Sequence, residues 1–320
     1  MAYYIGVDLG GTNIAVGICD SDLKILKKGS VPTKPERAPE LIVKDMADLS
    51  AKLLKECGIP LDEVASVGIA TPGTANSDTG VVEYSNNIPF YRFPIADVFK
   101  SFLPVKRVLI ENDANAAALA EALSGAAKGT KKSVMITLGT GVGGGIVIDG
   151  KVYSGFNHAA GELGHTVIEK GGRPCSCGRR GCWEAYSSAT GLINMTREKV
   201  NECKIKGIPS LMVDEFDANG RVSARTAFSA MKQGDAVGAE VVREYIEYLA
   251  CGLTNMINIF QPEVLSIGGG ICNEGDTLLK PLLEIIKTEQ YTRKSPDKCA
   301  VKIAELGNDA GIVGAAGLGL

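Results

Sequence analysis

The chain opens on three short apolar runs, 3–9, 14–19 and 24–31, divided by Gly10-Gly11 and by Ser21-Asp22. Runs of that length between turn residues predict strands, here a β-meander. Residues 39–57 change to helical spacing, with Leu41, Met46, Leu49, Leu53 and Leu54 near one stripe, and predict an amphipathic helix. Residues 64–71 return to strand before Pro72-Gly73. A proline- and aromatic-bearing stretch at 86–93 follows, then a predicted strand at 107–110 and an alanine-rich helix at 115–127.

The pattern then starts again. Residues 133–138, 145–149 and 151–153 read as three strands around a glycine turn. Val7-Asp8-Leu9-Gly10-Gly11-Thr12 aligns with Ile136-Thr137-Leu138-Gly139-Thr140-Gly141, about 129 positions on. Each is a strand entering a glycine-rich hairpin and leaving as another strand, which predicts an internal duplication with a nucleotide cleft between the halves. After Glu184 the pattern is mostly helical, over 184–200, 226–232 and 236–259, before a strand at 264–267 runs into Gly268-Gly269-Gly270.

Length and composition narrow the class. At 320 residues the chain exceeds one ordinary core, so two domains are expected. With 34 Lys and Arg against 37 Asp and Glu, the balance of −3 gives no reason to expect nucleic-acid or membrane partners. The start lacks a basic segment followed by an apolar one, and the uncharged run 133–148 is too short and glycine-rich to span a bilayer. Nine cysteines, six of them placed singly in apolar or helical settings, fit reduced thiols and a cytoplasmic location.

Three segments carry candidate chemistry. Asp8-Leu9-Gly10-Gly11-Thr12-Asn13 reads either as a plain tight hairpin or as a phosphate loop. Its counterpart Gly139-Thr140-Gly141-Val142-Gly143-Gly144 has G-x-G-x-x-G spacing, but a strand follows where a dinucleotide fold needs a helix. Glycines admit close approach of backbone N–H groups to phosphate oxygens, and two such hairpins could hold a triphosphate. Glu111-Asn112-Asp113-Ala114-Asn115 lies at a strand-to-helix junction, where Asn and Asp also serve as caps. Phosphoryl transfer to a hydroxyl needs a carboxylate to take the proton. Asp113 is the candidate base, with Asn112 beside it as a hydroxyl ligand.

The most specific local signal is His165 followed by Cys175, Cys177 and Cys182. Three thiolates and an imidazole suit tetrahedral zinc, and a full ligand set implies a structural site. Chance clustering and a redox Cys-x-Cys pair remain alternatives. Glu162 stands three positions before His165 and Glu184 two after Cys182, so the loop would fix two carboxylates able to accept hydrogen bonds from sugar hydroxyls. Their plain alternative is surface charge.

Together these motifs, with Glu162-Leu163-Gly164-His165 and Cys175 to Glu184 the most specific, resemble the ROK family of sugar kinases and repressors, over nearly the whole chain. The flanking text is most similar to the family's bacterial glucokinase branch. The resemblance implies an α/β fold of the actin-like ATPase and hexokinase superfamily, with two duplicated domains around the nucleotide cleft. Residues 1–115 plus 305–320 would form one domain, and 116–304, bearing the zinc loop, the other. It implies ATP-dependent phosphorylation of glucose at its 6-hydroxyl, with N-acetylmannosamine or N-acetylglucosamine phosphorylation, or sugar sensing without catalysis, as alternatives.

By the same resemblance Asp113 is the base, and Asn112, Glu162, His165 and Glu184 are sugar ligands, joined by Gly73 and Asn87. His165 would meet zinc through one nitrogen and sugar through the other. Gly10, Gly11, Thr12 and Asn13, with Gly139, Thr140 and Gly141, correspond to phosphate loops, Asp8 to the acid near Mg²⁺, and Gly268, Gly269 and Gly270 to the adenosine site. The expected ligands are hexose, ATP, Mg²⁺ and structural Zn²⁺, and the expected assembly is a homodimer or homotetramer. Only seven residues precede Asp8, so the repressors' DNA-binding module is not expected.

Overall fold

The computed structural model of the chain describes residues 2–85 and 87–320, so Asn86 in the stretch at 86–93 lies outside the described residues. The predicted meander forms from β1 (Tyr3–Leu9), β2 (Asn13–Cys19) and β3 (Ile25–Pro32), with β2 antiparallel to both neighbours. α1 (Pro39–Cys57) starts with proline in its first turn and ends at Gly58 in the left-handed conformation. Its buried stripe is Ile42, Val43, Met46, Leu49, Leu53 and Leu54, whereas Leu41 points outward at 47% exposure.

Then come β4 (Val64–Thr71), β5 (Thr74–Asn76), β6 (Val81–Tyr84), β7 (Tyr91–Phe93), α2 (Ile95–Phe102), β8 (Val108–Asn112) and α3 (Asp113–Ser124). β5, β6 and β7 make a small antiparallel sheet of their own. β9 (Lys132–Leu138), β10 (Val142–Ile148) and β11 (Lys151–Val152) begin the second set. It continues through α4 (Glu184–Ser187), α5 (Ala189–Lys206), α6 (Leu211–Asn219), α7 (Thr226–Lys232) and α8 (Ala236–Phe260). β12 (Val264–Gly268), α9 (Asp276–Glu289), β13 (Ala300–Ile303) and α10 (Ala310–Gly317) complete it.

The two five-stranded sheets share one order. In the first it is β3-β2-β1-β4-β8, and in the second β11-β10-β9-β12-β13. The third, second, first, fourth and fifth strand of each set follow one another in both, as the duplication requires. β1, β4 and β8 run parallel, so their carboxyl ends lie along one edge of the first sheet. Ligand sites in open α/β sheets lie outside that edge.

The chain divides into two compact units. One comprises Met1–Met135, Gly145–Gly161 and Ala304–Leu320, and the other Ile136–Gly144 and Glu162–Ile303. Within the first, α10 lies on β1, β4 and α3 at backbone contact. A Cβ at Gly6 would run into the Ile312 carbonyl, one at Gly68 into that of Ala315, and one at Gly314 into that of Ala116. The segment before α10 is tied down by Glu121, buried in α3, which accepts N–H bonds from Ala126 (2.7 Å), Glu305 (3.0 Å) and Leu306 (2.9 Å). Gly314→Ala is therefore expected to destabilise by about 1–3 kcal/mol through overpacking. A thermal-unfolding midpoint equal to wild type would show that α10 has room there.

The single helix predicted over 184–200 is two helices. Ser188 takes an extended conformation (φ −78°, ψ 168°), and its hydroxyl accepts the Gly191 N–H at 3.0 Å as the N-cap of α5. Serine competes for backbone donors in this way, so the periodicity runs through a break that only the cap reveals.

Candidate functional site

In the first unit the strand ends carry the chemistry. The Gly10–Asn13 hairpin is closed by the Gly10 N–H on the Asn13 carbonyl (2.9 Å). Thr33, fully buried, braces it twice, donating its N–H to the Thr12 carbonyl (2.9 Å) and its hydroxyl to that of Gly10 (2.6 Å). Asp8 is half-buried at the end of β1, and its carboxyl is pushed up to about 6, first by burial and then by the negative charge of Asp113. A Cβ at Gly311 in α10 would run into that carboxylate, so the glycine makes its place.

The turn from β8 into α3 is rigid. Asn112 caps the helix, its Oδ1 accepting the N–H groups of Ala114 (2.9 Å) and Asn115 (3.2 Å), while its Nδ2 donates to the Gly73 carbonyl (3.1 Å). Buried Glu111 accepts from the Asn112 N–H (2.9 Å) and from Asn115 Nδ2 (3.0 Å), and burial raises its proton affinity. The capping and functional readings of this segment thus coexist, because the cap leaves Asp113 exposed at the tip. Gly73 has φ 91°, and a Cβ there would meet the Tyr84 carbonyl. Exposed Asn87 lies beside Gly11. The first unit therefore brings Asp8 next to Asp113, Asn112 to Gly73, and Asn87 to Gly11.

In the second unit the four proposed metal ligands converge. One donor atom from each of His165, Cys175, Cys177 and Cys182 lies within 4.8 Å of the others. Cys175 Sγ is 3.6 Å from His165 Nδ1, and Cys177 Sγ is 3.7 Å from Cys182 Sγ. A tetrahedron with zinc bonds of about 2.3 Å to sulfur and 2.0 Å to nitrogen has edges of roughly 3.5–3.8 Å, so the donor set fits zinc. With Nδ1 turned to the thiols, His165 Nε2 stands free of them, 4.0 Å from Glu162 Oε2. Residues 163–165 form a 3₁₀ turn rather than an α-helix, and it still sets those two side chains on one side.

The loop is fastened from below. Buried Trp183 donates its backbone N–H to the Thr166 carbonyl (2.8 Å), and its ring packs on α8, where a Cβ at Gly252 would enter it. Glu184 joins the loop to the second glycine hairpin. Its Oε1 accepts from Ser176 Oγ (3.4 Å) and its Oε2 from the Val142 N–H (3.0 Å). A Cβ at Gly141 would strike that carboxylate, and one at Gly164 the Val142 carbonyl. Two motif glycines are thus set by packing within the site. Gly269 (φ 106°) lets the end of β12 press on the Leu138 carbonyl, while the positions a Cβ would take at Gly139 and Gly270 are open.

Sequence reasoning had no signal for Thr33 or Gly311, since each acts on a residue distant in the chain. Among the described residues no helix is long and apolar enough to cross a membrane.

A repeated five-stranded sheet whose first hairpin is glycine-rich defines the actin-like ATPase and sugar kinase fold. The chain belongs to the ROK family, whose model matches residues 4–320. It is 39% identical over 313 residues to a glucokinase of Halalkalibacterium halodurans, covering 98% of this chain and 93% of the relative. An N-acetyl-D-glucosamine kinase of Aliivibrio salmonicida is 33% identical over 283 residues, 84% of this chain and 85% of the relative. A crystal structure of a ROK family glucokinase from Streptomyces griseus with glucose and AMPPNP superposes at TM-score 0.78, 33% identical, covering 99% of both chains.

Proposed function

We infer that the chain is an ATP-dependent hexose kinase that converts glucose to glucose 6-phosphate. The observation that carries this is full-length similarity to glucokinases in a chain that keeps both glycine hairpins and the exposed carboxylate of Asp113. Asp113 accepts the proton of the 6-hydroxyl as that oxygen attacks the γ-phosphorus of ATP, and the bond from that phosphorus to the β,γ-bridging oxygen breaks to release ADP. Asn112, Gly73, Asn87, Glu162, His165 and Glu184 are the residues whose polar groups accept or donate to the sugar hydroxyls. The hairpins Gly10–Asn13 and Gly139–Gly141 receive the phosphates: the N–H groups of Gly10 and Gly139 close the turns, and those of Gly11, Thr12, Thr140 and Gly141 are the donors to phosphate oxygens. Gly268, Gly269 and Gly270 receive the adenosine.

Asp8 is the residue to hold Mg²⁺: it is a hard oxygen donor, half-buried beside a second carboxylate, and the paired negative charge favours a cation. When bound, the ion neutralises charge on the transferring phosphoryl group. Cys175, Cys177, Cys182 and His165 would hold zinc, which would supply a fixed node and take no part in bond breaking.

A second reading, an N-acetylhexosamine kinase, is favoured by the similarity to the N-acetyl-D-glucosamine kinase, which covers less of the chain. A coupled ADP-release assay over hexoses and N-acetylhexosamines separates the two. Glucose is expected to give a higher kcat/KM than N-acetylglucosamine or N-acetylmannosamine, and the reverse order would transfer the assignment to the second reading.

A further inference from the structure

The second glycine hairpin does not stand alone. Three groups from the stretch 184–190 hold three of its four positions. The Ala189 N–H donates to the Gly139 carbonyl (2.9 Å), the Thr190 hydroxyl to the Thr140 carbonyl (2.7 Å), and Glu184 accepts the Val142 N–H (3.0 Å). The hairpin also closes on itself, through the Gly139 N–H on the Gly141 carbonyl (3.0 Å). Among the described residues, the N–H groups of Thr140 and Gly141 donate to no other backbone or side-chain group.

Which way those two N–H groups point is decided from α5. A trans peptide is planar, with its C=O and N–H antiparallel. Holding the Gly139 carbonyl toward Ala189 therefore turns the Thr140 N–H away from α5, and holding the Thr140 carbonyl toward Thr190 turns the Gly141 N–H away likewise. The glycines make these peptides easy to rotate, and a rotated Thr140–Gly141 peptide would present its carbonyl oxygen where its N–H had been. Toward a polyanion that exchanges an attractive dipole for a repulsive one. The Ala189 bond is backbone to backbone and insensitive to side-chain identity. The Thr190 bond is made by a side chain, from an exposed position in the first turn of α5.

We propose that Thr190 is a positioning residue for the phosphate donor: its hydroxyl sets the Thr140–Gly141 peptide so that the Gly141 N–H faces the nucleotide phosphates. The proposal rests on the reading of this hairpin as a phosphate loop. Thr190 touches no substrate in this account, and its effect is confined to the nucleotide side.

The test compares Thr190→Val, which keeps the shape and removes the donor, with Thr190→Ser, which keeps the donor. Dissociation constants for Mg-AMPPNP and for glucose are measured separately by calorimetry, with bound zinc and the unfolding midpoint as structural controls. One lost hydrogen bond corresponds to roughly a ten-fold change in affinity. Thr190→Val is expected to weaken Mg-AMPPNP about ten-fold and leave glucose within about two-fold, while Thr190→Ser restores wild-type nucleotide affinity. Unchanged nucleotide affinity in Thr190→Val, equal weakening of both ligands, or no rescue by serine would each overturn the proposal. If the wild-type protein binds no Mg-AMPPNP, the kinase reading itself fails, an outcome distinct from a silent Thr190→Val in a protein that does bind it.

Discussion

Asp113→Asn is expected to lower kcat for glucose by 10²-fold or more, the scale of a lost general base, while glucose affinity stays within a few-fold. The amide keeps the size and position of the carboxylate but cannot take the hydroxyl proton. The surrounding turn should be undisturbed, because Asn112 caps α3, Glu111 holds the Asn112 N–H and the Asn115 side chain, and the bond that Asp113 Oδ1 accepts from the Ala114 N–H (2.8 Å) can be kept by an asparagine Oδ1. The same change removes the negative charge that helps raise the Asp8 carboxyl to about 6, so Asp8 should ionise at lower pH in the variant. The sign follows from Asp113 being anionic: losing a like charge eases ionisation of its neighbour. A variant with more than about a tenth of wild-type turnover would remove Asp113 from the role of base.

Cys177→Ala is expected to release the metal and weaken glucose more than nucleotide. Purified wild-type protein should carry about one zinc per chain, the complement of a closed four-ligand site. His165 and Glu184 are both attached to the cysteine loop, the first through Nδ1 near Cys175 and the second through Ser176. Without metal the His165 ring loses the partner that selects which nitrogen is presented, and Glu162, beside Nε2, loses its neighbour. The second glycine hairpin loses less, because the Ala189 and Thr190 bonds come from α5, which has its own cap at Ser188. Elemental analysis finding no zinc in protein purified without chelator, or unchanged glucose affinity in the variant, would leave the cysteines as ordinary thiols.

What could be read in the chain beforehand was whatever is local. The meander, α1, and the Cys and His cluster each depend on spacings within about twenty residues, and structure and reading agree there to within a residue or two. The Asn112 cap was legible for the same reason. The break at Ser188 was not, because helical spacing continues across it and the serine merely competes for one amide. α2 and α9 do carry an apolar stripe, Ile95 and Phe99 in the first and Leu278, Leu282 and Ile286 in the second, but the short α2 and the proline inside α9 obscure it, whereas α6, α10 and the three-stranded sheet are short or glycine-rich and gain their shape from what they lie against. The site residues Thr33, Gly311 and Thr190 belong to this second kind. Each acts on a backbone or carboxylate group far along the chain, and nothing beside it in sequence marks the partner.

The lodging of α10 against bare backbone has a consequence for how the molecule is made. Gly6 and Gly68 receive carbonyls from Ile312 and Ala315, positions that leave the ribosome only after every strand and helix of the second unit has emerged. At roughly 5–20 residues per second, the face of β1 and β4 under α10 waits many seconds for its cover, while β9 to β13 can pair in the meantime. The first sheet to be synthesised is thus the last to be finished, and its long-range closure, costly in chain entropy, marks the late step of folding. Until then the face of β1 and β4 that α10 covers stays exposed, and removing α10 is expected to leave an apolar patch that promotes association.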